Sequence, residues 1–111
     1  MNRWDIYWAD VPYEEDPSIR KKRPVIIAKD QSPVYVLTLK VTSKEARAED
    51  PGDYPLTYWK EAGLSAPSVV RILKISRLAP EAFGDCIGRV QAADAYAIQE
   101  KMNDLRKNRK K

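Results

Sequence analysis

Arg23 stands immediately before Pro24, and the other groups able to do chemistry are basic or hydroxyl-bearing: Thr42, Ser43, Arg71, Lys74 and Arg77. Each lies at the edge of a run that reads as a β-strand. The chemistry open to such a set is phosphate recognition. A guanidinium is planar and permanently charged, and its fork of N–H donors matches two phosphoryl oxygens at once. Each residue also has an ordinary reading. Arg23 could be one more charge in a solvated cluster, Thr42 a β-branched strand residue, and Lys74 part of a solvated face.

The rest of the composition removes the usual competitors. There is no histidine and one cysteine, so a zinc finger, a haem site and any His-based catalyst are excluded. Cys86 lies in an apolar strand with no His to activate it and reads as a core residue rather than a nucleophile. The four glycines form no P-loop and no G-x-G-x-x-G, so no nucleotide cofactor is expected. Asp5 and Asp10 lie five apart on a strand and face opposite sides, which does not make a paired-carboxylate metal site. No cofactor and no metal are expected.

The elements that must position these residues follow from periodicity and breakers. Residues 4–11 alternate, with Trp4, Ile6 and Trp8 on one side and Asp5, Tyr7 and Ala9 on the other. Residues 12–22 read as a loop, with Glu14, Glu15 and Asp16 in its acidic half and Arg20, Lys21 and Lys22 in its basic half. Residues 23–30 read as a buried strand with Pro24 tolerated at its start. A turn at 31–33 leads to a strand at 34–43, and residues 44–53 read as a charged surface loop. A short edge strand is expected at 54–58 and one helical turn at 59–64, closed by Gly63. Another strand follows at 68–76. Pro80 opens a turn of helix that Gly84 stops, and the last strand is expected at 85–90. A helix from about 92 to 106 carries an apolar stripe of Ala95, Ile98, Met102 and Leu105. Gln91 is its N-cap, with Asp94 in the first turn. Together these describe a mostly β chain with a C-terminal helix, built as a small barrel or half-barrel in one domain over 1–111.

The formal net charge is +4, but residues 101–111 alone carry +5 and the remainder sums to −1. The basic tail, at about 106–111, reads as a solvated end or as a nucleic-acid arm. No apolar run is long enough to span a membrane. The N-terminus lacks a signal peptide's apolar region, so a cytoplasmic location is expected. The aromatics Trp59 and Tyr54–Tyr58 have two readings, as base-stacking surfaces or as core filler.

The order of signals resembles the PemK/MazF family of toxins from bacterial type II toxin–antitoxin pairs. The matching stretches are RWDIYWADV (3–11), RPVIIAKD (23–30), VTS (41–43), SVVRILKISRL (68–78) and IGRV (87–90). The resemblance implies an SH3-like barrel of the MazF/CcdB toxin type, usually a homodimer. It implies cleavage of single-stranded RNA at short sequences, without a metal, held in check by a cognate antitoxin with which the toxin also binds DNA. Carried over by position, Arg23 and Thr42 match the family's catalytic Arg and Thr, with Lys22, Ser43, Arg71, Lys74 and Arg77 as substrate-binding candidates. The chain departs from the family's common pattern in four places. An acidic residue is usual shortly before the Arg, whereas here Glu14, Glu15 and Asp16 lie further back and Ser18 and Ile19 are closer. Trp4 stands where Gly is usual before the first strand's Asp, Arg20-Lys21-Lys22 stands in place of a glycine-containing loop, and Lys74 stands in place of a Gln. A catalytically silent SH3-like module binding nucleic acid or a protein partner is the alternative. A gyrase poison of the related barrel type is a more distant one.

Overall fold

A computed structural model describes residues 1–13, 15–29, 35–43 and 51–109. The expected turn at 31–33, Glu14, most of the charged loop at 44–53 and the last two residues of the basic tail lie outside the described residues. Among the described residues six strands form one antiparallel sheet: β1 (Asp5–Pro12), β2 (Arg20–Lys29), β3 (Val36–Thr42), β4 (Asp53–Pro55), β5 (Val69–Leu78) and β6 (Phe83–Arg89). A single long helix, α1 (Ala92–Arg109), follows. The strand order is β4-β5-β3-β2-β1-β6, so consecutive strands are mostly neighbours.

The period-2 pattern decides which side chains go where. Ile6, Ile26, Leu39, Val41, Val70 and Ile72 are buried in one core, against which α1 packs Ile98. Ala9, Val11, Val25 and Leu78 are buried in a second, smaller cluster with Ala82 and Phe83. The two faces interleave within single strands, as Ile6 against Ala9 and Ile26 against Val25 show. Ala95, Met102 and Leu105 flank the wholly buried Ile98, the stripe the sequence predicts. Full burial of a side chain of that size contributes about 1.5–3 kcal/mol.

β4 and β6 are the two edges of the sheet, yet the chain just beyond β4 returns to β6. Residues 59–64 make the expected turn. The Leu64 amide donates to the Trp59 carbonyl (3.1 Å) and that of Gly63 to the Lys60 carbonyl (3.0 Å). This is the Schellman pattern, with Gly63 (φ +100°) at the left-handed position that closes it. The turn then lies against β6. The Arg89 amide donates to the Ala62 carbonyl (3.1 Å), and a Cβ on Gly88 would stand only 2.0 Å from that oxygen. The sheet is thereby curled into a partly open barrel.

Three expectations change in detail. β2 starts at Arg20 rather than Arg23, because the charged run 20–22 pairs with Lys22, Lys21 and Arg20 opposite Asp10, Val11 and Pro12. Pro24 is therefore inside β2, but β2 pairs with β3 only from Val25 onward, so the proline sits where the strand has one neighbour. Cys86 is exposed rather than in the core, because β6 is an edge strand and three of its central residues face outward. The turn at Pro80–Ala82 is 3₁₀ and ends before Phe83, where β6 already begins.

Candidate functional site

A concavity lies where the β2–β3 ladder stops. The last pair is Val25 with Lys40. Two residues further along both strands, the same register sets Arg23 opposite Thr42, the final residue of β3. The ladder has ended there, and a cleft of about 600 Å³ opens, lined by Arg23, Thr42, Ser43, Lys21 and Lys22. Its far wall is the 63–68 segment, held by the Gly63 turn described above. Arg23 is half-buried whereas Lys21 and Lys22 are exposed, so the guanidinium is the cation best shielded from water. No carboxylate lines the cleft among the described residues. Three cations and several hydroxyls without a counter-charge suit a phosphodiester and repel an acidic metal-site arrangement. Among the described residues no group of three His, Cys, Asp or Glu side chains is placed to hold a metal ion.

Of the predicted site residues, Arg23, Thr42, Lys22 and Ser43 come together. The β5 candidates do not line the cleft. Arg71 is bound to Asp53 through Nε at 3.1 Å, pinning edge strand β4 to β5. Arg77 lies over the Tyr35 ring at 5.3 Å, and Lys74 sits on a bulge in β5. That bulge arises because Leu39 pairs with Ile75 but the next residue, Lys40, pairs with Arg71.

Sequence reasoning missed Lys21 and Trp8. With β2 begun at Arg20, Lys21 and Arg23 share a strand face, about 6.6–6.8 Å apart. Trp8 is the aromatic side chain in the cleft. Of the aromatics with two readings, Tyr54 and Trp59 pack against the main core, Tyr58 is exposed, and none of the three lines the cleft. Beside the cleft, burial pushes the Tyr7 hydroxyl above its ordinary value, with Cys86 across the strand pair and Asp5 adding to the effect. That phenol stays protonated at neutral pH.

The family described as PemK-like, MazF-like toxin of type II toxin-antitoxin system matches residues 2–105. The chain belongs to the PemK/MazF toxin family. Among solved structures, an endoribonuclease in complex with its cognate antitoxin from a mycobacterial species is similar over 91% of this chain and 89% of its own. That likeness has a TM-score of 0.70 at 18% identity. An endoribonuclease from a mycobacterial species covers 91% and 86%, at 0.68 and 17% identity. The Mycobacterium tuberculosis toxin MazF-mt6 covers 88% and 93%, at 0.64 and 20% identity. At such identities the likeness speaks for the fold. No functionally curated protein matches the chain.

As a PemK/MazF toxin the chain carries one departure that its backbone makes visible. Trp4, at the position where the resemblance implies Gly, is the one non-glycine residue at positive φ (+78°) among those described. Its amide donates to the Ile27 carbonyl in β2 (2.8 Å) and its carbonyl accepts from the amide of Val90, just past β6 (2.9 Å), so bonds on both sides over-determine the strained conformation. Among the described residues no helix is long and apolar enough to cross a membrane.

Proposed function

We propose that this PemK/MazF toxin is a cytoplasmic, metal-independent endoribonuclease that cuts single-stranded RNA at short sequences in the Arg23–Thr42 cleft. The observation that carries the reading is the meeting of Arg23 and Thr42, from different strands, in a cationic cleft that no carboxylate lines among the described residues. The RNA supplies its own nucleophile. The 2′-oxygen attacks the adjacent phosphorus, the P–O5′ bond breaks, and a 2′,3′-cyclic phosphate forms. The 2′-hydroxyl proton leaves to solvent while the departing 5′-oxygen takes one up, giving a 5′-hydroxyl. Negative charge gathers on the non-bridging oxygens in the transition state. Arg23 binds two of them and Thr42 donates to the same group. A guanidinium offers donors and no acceptor, so Arg23 serves by stabilising charge rather than as a base. Lys21, Lys22 and Ser43 hold the neighbouring backbone.

The same charge pattern favours an antitoxin whose extended acidic segment lies across the cleft and excludes RNA. A homodimer is supported by the exposed Leu73 (47%) and Ile75 (56%) on the β5 bulge. They border an apolar groove that also includes Met102 and Leu105 of α1. A second copy would cover it, which light scattering at micromolar concentration tests; a monomeric mass counts against it.

Purified protein incubated with single-stranded RNA and EDTA should yield 5′-hydroxyl ends. Arg23→Ala should lower kcat by roughly 10²–10³, the effect of losing one preorganised donor, with unfolding midpoint unchanged. Wild-type protein that leaves RNA intact removes the nuclease reading. An Arg23→Ala variant cutting at the wild-type rate removes the assignment of Arg23.

A further inference from the structure

Trp8 is 39% exposed although it shares a strand face with Ile6, which is wholly buried. The reason is local. On one side Trp8 is paired directly with Pro24, which puts the two side chains next to each other on the same face. On the other side the β1–β6 register is irregular between Tyr7 and Ala9. There Gly84, which has no side chain, is the residue whose Cβ would stand 3.6 Å from Trp8 Cβ. Trp8 thus has Pro24 beside it and a residue without a side chain on the β6 side, and both Trp8 and Pro24 line the cleft with Arg23. Pro24 is bonded to Arg23, so the ring and the guanidinium are held by one dipeptide and its pairing partner.

We infer that Trp8 is a stacking platform for a nucleobase of the RNA, on the nucleotide adjoining the phosphate that Arg23 holds. This rests on the endoribonuclease reading above. A phosphate clamp alone leaves the chain free to slide along a backbone whose charges repeat. A flat aromatic beside the clamp fixes one nucleotide and with it the register of the bond presented to Arg23 and Thr42. Stacking accepts any base face, so Trp8 acts as a positioning residue. The rigid indole, with two side-chain torsions and Pro24 beside it, loses little freedom on binding.

The test uses full-length protein and a short oligonucleotide with every 2′-hydroxyl methylated, which binds but lacks the nucleophile. Trp8→Ala should weaken binding of this probe by roughly 5- to 150-fold, the range for removing one base–aromatic stack. Trp8→Phe should recover most of that loss. A probe of the same length with abasic positions throughout should bind wild type and Trp8→Ala equally. Indole fluorescence should be quenched by the base-bearing probe and not by the abasic one, and Trp8→Phe should abolish that quenching. Trp8→Ala binding the base-bearing probe as wild type does overturns the inference, as does an equal loss on the abasic probe. Uncut RNA with the wild-type protein defeats the nuclease reading separately, because probe binding is measured without cleavage. Should wild type bind no probe at all, both fall.

Discussion

Asp94 is 1% exposed, and its carboxylate accepts three hydrogen bonds from a stretch 36–40 residues away. Tyr54 Oη donates to Oδ1 at 2.7 Å, the Thr57 amide to Oδ1 at 3.1 Å and the Tyr58 amide to Oδ2 at 2.8 Å. These bonds tie the start of α1 to β4 and to the turn that forms the cleft's far wall. Asp94→Ala removes all three. A hydrogen bond to a charged group contributes about 1.5–3 kcal/mol, but Thr57 and Tyr58 are exposed and their amides regain water in the variant. About 1 kcal/mol per bond is then the fair figure, or roughly 3 kcal/mol in total. Over a chain of this size that lowers the melting temperature by roughly 12–24 °C. Asp94→Asn keeps one acceptor oxygen, which still serves Tyr54 and Thr57, but turns an NH₂ toward the Tyr58 amide. It should cost about half as much. Urea unfolding of both variants, with the m-value unchanged, measures the loss. A double-mutant cycle with Tyr54→Phe isolates one of the three bonds. An Asp94→Ala variant destabilised by less than about 1 kcal/mol would refute the reasoning, since the three bonds would then be individually idle.

Two further outcomes follow from the backbone and from titration. At Trp4, Ala keeps the unfavourable φ while Gly relieves it. Trp4→Gly should therefore be about 1 kcal/mol more stable than Trp4→Ala, the reverse of the usual strand order. Both should be less stable than wild type, having lost the indole's packing and the Arg3 guanidinium 4.9 Å above it; chemical denaturation giving Ala the higher midpoint would contradict this. Burial first, and donation to Asp94 second, push the Tyr54 hydroxyl above its ordinary value of 10.0. The folded state therefore holds that proton more tightly than the unfolded chain. The stabilisation is complete below pH 10 and is lost as pH rises from there through the folded value. Tyr54→Phe should flatten stability against pH in that alkaline window, leaving the slope from Tyr7; an unchanged profile would remove Tyr54 as its source.

What was legible in the sequence was what depends on spacing alone. The helix stripe centred on Ile98, the closing role of Gly63 and the placement of Thr42 at the end of a strand all follow from period and from backbone permissiveness. The edge position of β4 follows from Pro55 in the same way. What escaped depends on a partner that the local pattern does not name. The run Arg20-Lys21-Lys22 reads as loop by charge, yet it becomes strand because Asp10, Val11 and Pro12 offer it a ladder. Arg71 looks like a free cation until Asp53, 18 residues earlier, takes it. Trp8 belongs by parity with buried Ile6, and only the glycine and the irregular register across from it leave it open. Arg23, Thr42 and Trp8 have one circumstance in common: each stands where a ladder ends or slips. Interrupted pairing is what brings strand residues to the wall of a cleft. In a barrel this small, the site is therefore to be sought at the faults in the sheet rather than in its regular parts.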